Sequence, residues 1–192
     1  MEDSRFLGNG TVMVDDLLPY LMEIAGPWLQ EQRNLYIADS RPLSGDERAA
    51  LRDYYDDRIL DKVRVAAVDR ISNPSFYSDL KASGNPVLDI SGAAGIALID
   101  CIVVKKALQR DFSSWISLLF HELVHVVQFD ILGPRRHLEL YLRGWAENDF
   151  QYHSIPFEVQ ARKLEARFNR REPPFSVREV IRRDLADMSG TL

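Results

Sequence analysis

The chain has 192 residues, of which 46% are apolar and 28% charged, and it contains a single cysteine. This is the composition of an ordinary globular protein, and it excludes extensive disorder, a disulfide scaffold and a zinc site built from four cysteines. With 24 basic and 29 acidic side chains, the formal net charge is −5. We expect no binding to nucleic acid, because such binding depends on basic surfaces that neutralise phosphates.

The length favours one domain that spans residues 1–192. The first residues lack the basic-then-apolar order of a secretory signal. No uninterrupted apolar stretch reaches the roughly 18 residues that a membrane-spanning helix requires. We therefore predict a cytoplasmic protein that does not insert into a membrane, and the sequence leaves its oligomeric state open.

Two helices are predicted near the start of the chain. Apolar residues at helical spacing predict the first over Val12–Gln32, with a break or kink at the Gly-Pro pair of residues 26–27. Ser44 and Glu47 then form a capping-box pattern, because the serine can cap a helix and the glutamate can answer it. This pattern predicts a second helix from residue 44 to about residue 58.

The middle of the chain is predicted to supply a small sheet. Residues 59–71 alternate in part between apolar and polar side chains, which favours a strand over a helix, and a segment rich in turn residues follows. Gly95–Val104 is short and rich in Ile and Val, and is predicted to be a second strand. A long apolar helix comes next, which Ser113 or Ser114 could cap and which ends at the Gly-Pro pair of residues 133–134.

The last third of the chain is predicted to be helical. His137 follows the Gly-Pro pair beside two arginines and is predicted to lie in an exposed loop. Further helices are expected at about 138–148, 156–170 and 176–188. The predicted fold class is therefore α+β, mostly helical, with a small sheet before the long helix.

The long helix contains the sequence His121-Glu122-Leu123-Val124-His125. Residues four apart lie on the same face of a helix, so that both imidazoles can reach one metal ion. Glu122 lies about 100° round the helix and can approach a metal-bound water without being a ligand. This spacing is typical of zinc sites in which the glutamate acts as a general base.

The polar residues of this helix form one stripe on an otherwise apolar segment. Ser114, Ser117, His121, His125 and Gln128 follow one another at spacings of three or four residues. Buried histidines and a buried glutamate need partners, because burial of an unpaired polar group is costly. A metal ion would supply such a partner; the alternative is a metal-free hydrogen-bonded network.

A catalytic zinc ion normally has three protein ligands, so one more must come from another element. Glu158 is the best candidate, because Pro156 suits the first turn of a helix and places Glu158 near that helix's N-terminus. The other candidates are Asp130, His137, Glu139, Glu147, His153 and Glu165.

His-Glu-Leu-Val-His, together with Glu158-Val-Gln-Ala161 on a later helix, resembles the gluzincin branch of the zincin metallopeptidases, in which a glutamate is the third zinc ligand. The resemblance covers about residues 92–170, the expected core of the metal site. Residues 1–90 form a mainly helical N-terminal part, and the resemblance does not indicate its role. The resemblance implies a zincin-like fold, in which an edge strand before the motif helix aligns a bound peptide. It also implies one Zn²⁺ per chain, held by His121, His125 and Glu158.

The resemblance also implies a mechanism and a peptide or protein substrate. Zinc would activate a water molecule, and Glu122 would act as the general base. A hydrogen-bond donor is needed for the developing oxyanion, and Tyr152 and His153 are preferred over Tyr141 because they directly precede the helix of Glu158. The alternatives are a non-proteolytic zinc protein of the same fold (a sensor, an adaptor or a degenerate enzyme) and a zinc hydrolase that acts on a non-peptide amide.

Overall fold

The computed structural model describes residues 14–189 of the chain. Helices dominate this part of the chain, and three short strands form one sheet. The helices are α1 (Val14–Ile37), α2 (Gly45–Leu51), α3 (Asp57–Lys62), α4 (Tyr77–Ala82), α5 (Phe112–Leu132), α6 (Pro134–Glu147), α7 (Pro156–Asn169) and α8 (Val177–Ser189). The strands are β1 (Arg64–Val68), β2 (Gly95–Leu98) and β3 (Cys101–Lys105), and short 3₁₀ helices span Lys106–Arg110 and Tyr152–Ser154. The α+β prediction is confirmed at this level.

The sheet has the order β1-β3-β2, with β1 parallel and β2 antiparallel to the central strand. The prediction of one continuous strand over Gly95–Val104 is wrong. The chain reverses at Ile99, whose φ of 64° lies in the left-handed region, and at Asp100. Arg33 of α1 donates to both carboxylate oxygens of Asp100, at 2.8 and 3.0 Å, and so holds the hairpin against the first helix.

The two N-terminal helices also differ from their predictions. Helix α1 continues through the Gly-Pro pair at 26–27 as far as Ile37, so the predicted break does not end it; residues 12–13 lie outside the described part. The predicted helix over 44–58 is two helices, because Asp56 caps a new one by accepting from the Ile59 N–H at 2.9 Å. The segment 59–71 accordingly contains the end of α3 and then β1, and α4 lies within the predicted loop region.

Helix α5 is the core of the fold. It contacts β2 and β3 of the sheet as well as α6, α7 and α8. Its cap is Asp111, which accepts from the Ser114 N–H at 2.9 Å, and neither Ser113 nor Ser114 caps it. By length and hydropathy alone α5 could cross a membrane, but 67% of that window is buried inside the protein.

The capping box at Ser44 is confirmed and extends into a larger cluster. Ser44 Oγ accepts from the Glu47 N–H at 3.2 Å, and the Ser44 N–H donates back to Glu47 Oε2 at 2.7 Å. Arg41 donates twice to the same carboxylate at 2.7 Å, and Trp115 Nε1 of α5 donates at 2.7 Å. The glutamate therefore ties α2 to the start of the core helix.

Candidate metal centre

Two packed helices bring together the three predicted ligands. His121 and His125 lie one turn apart in α5, and Glu158 lies in the first turn of α7, which packs along α5. The two Nε2 atoms are 3.3 Å apart. Glu158 Oε2 is 3.4 Å from His121 Nε2, and Glu158 Oε1 is 3.2 Å from His125 Nε2. These residues form a group whose ligand atoms are close enough to hold one metal ion.

The spacing of the two imidazole nitrogens and the Glu158 carboxylate suits a tetrahedral ion. Ligand atoms about 2.0–2.1 Å from a tetrahedral zinc ion are about 3.3–3.4 Å from one another. The two Nε2 atoms are 3.3 Å apart, and each has a different oxygen of Glu158 at 3.2 to 3.4 Å. Glu158 Oε2 is buried and accepts no hydrogen bond from the described residues. Three converging donors with an unsatisfied oxygen are what a cation would complete, and a fourth coordination position is left for a non-protein ligand.

The electrostatics of the group favour positive charge at this point. Burial opposes the charged form of His121, but its contacts with Glu158 and Glu165 outweigh burial and raise the pKa of His121 to about 10. Burial likewise opposes the charged form of Glu158, yet the two imidazoles hold the pKa of this carboxyl well below its ordinary value. An ion bound here would replace the imidazolium proton as the counter-charge.

A second carboxylate orients His121. Its Nδ1 donates to Glu165 Oε2 at 3.0 Å, and the other oxygen of Glu165 accepts from Ser117 Oγ at 2.7 Å. Asn169 in turn donates to Ser117 Oγ at 2.8 Å. Glu165, an alternative third ligand in the sequence, therefore lies at the opposite nitrogen of the ring, where it fixes the tautomer that leaves Nε2 free for a metal.

A chain of amides orients His125 in the same way. Its Nδ1 donates to Gln128 Oε1 at 2.8 Å. Gln128, which is fully buried, donates onward to Gln160 Oε1 at 2.9 Å, and Gln160 donates to Asp184 of α8 at 2.6 Å. Ser117 and Gln128 belong to the polar stripe seen in the sequence, but their roles depend on α7 and α8 and were not predicted.

Glu122 lies beside the three-donor group without belonging to it. The side chain is 4% exposed. Burial raises the pKa of its carboxyl, against the opposing effect of His121 and His125. A Cβ built on Gly95 of β2 would lie 3.1 Å from Glu122 Oε1, so the carboxylate lies directly against the backbone of this strand. A carboxylate with a raised pKa beside an open metal position can accept a proton from bound water.

The predicted oxyanion donors differ in their placement. Tyr152 is 39% exposed, and burial together with the nearby Glu158 carboxylate raises the pKa of its hydroxyl. His153 lies exposed in the 3₁₀ helix, and its carbonyl accepts from Arg162. Tyr141 of α6, ranked behind these two in the sequence, is half-buried, and its hydroxyl donates to Glu158 Oε1 at 2.9 Å. The roles of Tyr152 and His153 stay predictions.

Glu147 and His137, two other candidates for the third ligand, do not belong to the group. One cation near the group was not anticipated. Glu147 pairs with Arg143 at 3.7 Å at the end of α6. His137 is not in an exposed loop as predicted; it is buried in α6, which begins at residue 134. Arg162, one turn after Glu158, places Nη1 3.6 Å from Glu158 Oε2. Its position at i+4 from the predicted ligand on a helix is a signal that sequence analysis could have used.

A cavity of about 950 Å³ opens beside the group, and the whole of β2 contributes to its lining. The Lys105 N–H donates to the Ala94 carbonyl at 3.1 Å, in register with the pairing of β2 and β3. Because hydrogen-bonded and non-hydrogen-bonded pairs alternate in an antiparallel ladder, Gly95 and Ala97 direct their N–H and C=O groups away from β3. No other described strand pairs with that edge.

Comparisons of the chain with known proteins found no match. No protein-family model matches the chain, and no curated protein and no solved structure is found to match it.

Proposed function

We propose that this protein is a zinc-dependent peptidase. The observation that carries the proposal is the combination of three converging donors with a buried carboxylate, Glu122, that contributes no ligand to them. A purely structural zinc site is closed by four protein ligands, whereas a catalytic site keeps one position open. Two imidazoles and a carboxylate are a zinc donor set.

The bound metal would supply two effects: a lower pKa for a coordinated water, near 7, and polarisation of the scissile carbonyl. The protein's own groups carry the remaining steps. Glu122 accepts the proton of the attacking water and later delivers it to the leaving amine. Tyr141, whose hydroxyl donates to Glu158, and Tyr152, which lines the same cavity, are the donors that could turn to the carbonyl oxygen as negative charge develops on it.

The substrate backbone has a natural place along β2. An extended peptide can add to a free sheet edge through main-chain hydrogen bonds. Gly95 and Ala97 present such groups, and the absence of a side chain at Gly95 brings this edge close to Glu122. A peptide paired there would pass the general base, which supports a peptide bond as the bond that is cleaved.

The Glu122→Gln variant tests this proposal. Glutamine has nearly the same shape but cannot accept the proton, so we expect zinc to stay bound at about one ion per chain while cleavage of casein and of quenched peptides falls by about 10²–10⁴-fold. Glu31→Gln, an exposed position in α1, is the matched control and should change neither property.

Two outcomes would contradict the proposal. Loss of metal in Glu122→Gln would make Glu122 a ligand. A wild-type protein that binds zinc but cleaves no peptide in a diverse library would exclude a peptidase and favour a non-proteolytic zinc protein.

A further inference from the structure

The cavity beside the metal centre has one permanently positive side chain in its wall. Of the lysines and arginines in the described part of the chain, only Arg162 lines it, together with the three metal donors, Glu122 and Glu165. The Arg162 side chain is 34% exposed, so a molecule in the cavity can reach it. The proposed chemistry assigns this arginine no role.

The Arg162 guanidinium is held beside the donor group. Arg162 lies one turn after Glu158 in α7, and side chains of a helix point towards its N-terminus. Its Nη1 is 3.6 Å from Glu158 Oε2, and its Nη2 donates to the carbonyl of His153 in the preceding 3₁₀ helix. Burial and Glu158 raise the pKa of Tyr152, and Arg162 opposes this rise, so its charge lies close to that phenol as well.

These contacts do not use up the charge of Arg162. The separation of 3.6 Å from Glu158 is longer than a hydrogen bond, and the His153 carbonyl is a neutral acceptor. The carboxylate of Glu158 already faces two imidazoles, which lower its pKa against the effect of burial. A bound metal ion would neutralise it further. The guanidinium has several N–H donors, and a charge and donors are therefore left for an anion.

The other carboxylate near Arg162 has partners of its own. Glu165 accepts from His121 Nδ1 at 3.0 Å and from Ser117 Oγ at 2.7 Å. Burial opposes the charged form of Glu165, and His121 and Ser117 do more than Arg162 to lower its pKa. Arg162 is therefore not needed to satisfy Glu165. The carboxylates of the site repel an anionic substrate, and Arg162 is placed to offset that repulsion.

The chemistry of the guanidinium selects the kind of anion. Its planar fork of N–H groups matches a carboxylate or a phosphate. In the substrate of a peptidase, that anion is a carboxylate. An extended chain advances about 3.3–3.6 Å per residue, and the separation between Arg162 Nη1 and Glu158 Oε2 is one such step. A carboxylate bound by Arg162 therefore belongs to a residue next to the cleaved bond.

We propose that Arg162 is a specificity-determining residue that binds a carboxylate of the substrate beside the metal centre. The assignment of the carboxylate to a peptide rests on the proposed peptidase function. Two parts of a peptide carry this group: a free C-terminus, which would make the protein a carboxypeptidase, and the side chain of Asp or Glu, which would direct cleavage to acidic sites.

The binding test uses benzoate and benzyl alcohol, which share a ring and contain no bond that a peptidase cleaves. In calorimetric titrations of the zinc-loaded protein, Arg162→Gln should bind benzoate at least about tenfold more weakly than the wild-type protein, and benzyl alcohol equally well. Arg162→Lys keeps the charge without the fork and should restore part of the loss. Equal benzoate affinities in Arg162→Gln and the wild-type protein would overturn the proposal.

Lys163→Gln is the matched control. It makes the same change of charge at the next position of α7, where the side chain is exposed and does not line the cavity. Its affinity for benzoate should equal that of the wild-type protein. A loss as large as that of Arg162→Gln would overturn the assignment, because it would reflect the overall charge of the protein.

Zinc affinity separates anion binding from a role in positioning Glu158. Arg162→Gln removes a positive charge close to the bound cation, so its zinc affinity should be equal to that of the wild-type protein or up to about tenfold higher. A group that orients a metal ligand has the opposite effect, since its loss weakens metal binding. A fall in zinc affinity in Arg162→Gln would therefore overturn the proposal.

Two pairs of peptides identify the source of the carboxylate. One pair differs only in a C-terminal carboxylate or amide, and the other only in an interior Asp or Asn. In one pair the wild-type protein should cleave the carboxylate form, next to that group, with at least about tenfold higher kcat/KM, and Arg162→Gln should lose this difference.

The remaining outcomes separate this proposal from the proposed function. Equal kcat/KM within both pairs would overturn the carboxylate site and leave the peptidase intact. An equal fall in kcat for all four peptides in Arg162→Gln would also overturn it, because the arginine would then act on the oxyanion. Benzoate binding that depends on Arg162, without cleavage of any peptide, would support the anion site and contradict the peptidase.

Discussion

Two buried glutamates that contact the core helix show how differently a carboxylate can be satisfied. The Glu47 carboxylate accepts four hydrogen bonds from three residues: two from Arg41, one from the Ser44 N–H and one from Trp115 Nε1. Glu158 faces two imidazoles and Tyr141, and its Oε2 accepts no hydrogen bond from any residue that the structure describes. The first cluster is complete without a ligand, whereas the second leaves an atom and a coordination position for one. This difference separates a structural cluster from the proposed metal site.

The largest effect that we expect is a loss of zinc affinity when Glu158 is replaced. Replacement by alanine removes one of three converging donors, so zinc affinity should fall by at least about 10³-fold in competition with a chromogenic chelator. Glu47→Gln should leave that affinity unchanged, because its cluster holds no open donor. Similar zinc affinities for Glu158→Ala and the wild-type protein would contradict this difference between the two glutamates.

Glu47 should instead act on the stability of the fold. Glu47→Gln leaves Arg41 and the Ser44 N–H with a poorer partner, and we expect a loss of about 2–3 kcal/mol in the free energy of unfolding, measured with urea. Burial opposes the charged form of Glu47, but Arg41, Ser44 and Trp115 lower its pKa from 4.5 to about 2.

The sign of the pH dependence follows from this lowered pKa. The contribution of the Glu47 charge to stability is fully present above pH 4.5 and is lost as the pH falls towards 2. The stability difference between the wild-type protein and Glu47→Gln should therefore shrink over that window. A difference that is constant from pH 6 to pH 2.5 would show that the charge of Glu47 plays no part.

Replacement of Glu165 is expected to have an intermediate effect on zinc affinity, since this residue contacts the ligand His121 and not the metal. Glu165→Gln should weaken zinc binding by about 10–100-fold, the range for groups that orient a ligating histidine. The Gln128→Ala variant, on the other histidine, should behave similarly. A loss as large as that of Glu158→Ala would mean that Glu165 is itself a ligand.

The smallest effect is expected at Gly95. A methyl group there would lie 3.1 to 3.2 Å from Glu122 and Val104, so Gly95→Ala should displace the carboxylate slightly. Peptide cleavage should fall by roughly tenfold with zinc still bound, because small misplacements of a catalytic group lower the rate. Gly92→Ala is the matched control, since no atom lies within 4 Å of its added Cβ. Equal rates for both variants would contradict a role for this close approach.

The sequence was informative where function depends on local spacing. Ser44 and Glu47 lie three residues apart, and the two histidines four apart, so one turn of helix fixes each relationship. Glu158 lies in the donor group that the structure brings together, and the proline two residues before it indicated its position in the first turn of a helix.

Features that depend on tertiary packing were missed. The hairpin turn places the β-branched Ile99 in the left-handed region, which local preferences disfavour. The contacts of Gln128 with α7 and of Tyr141 with Glu158 join residues 17 to 32 positions apart and have no periodic signature. The burial of His137 likewise follows from its stacking on Phe129, which no local pattern indicates.

A crystal structure of the zinc-loaded protein, with an anomalous difference map at the zinc edge, tests the central claim most directly. We expect one peak per chain at about 2.0–2.2 Å from His121 Nε2, His125 Nε2 and a Glu158 oxygen, with Glu122 outside bonding distance and a non-protein ligand at the fourth position. A peak elsewhere, or one with Glu158 oxygens more than about 4 Å from the ion, would contradict it.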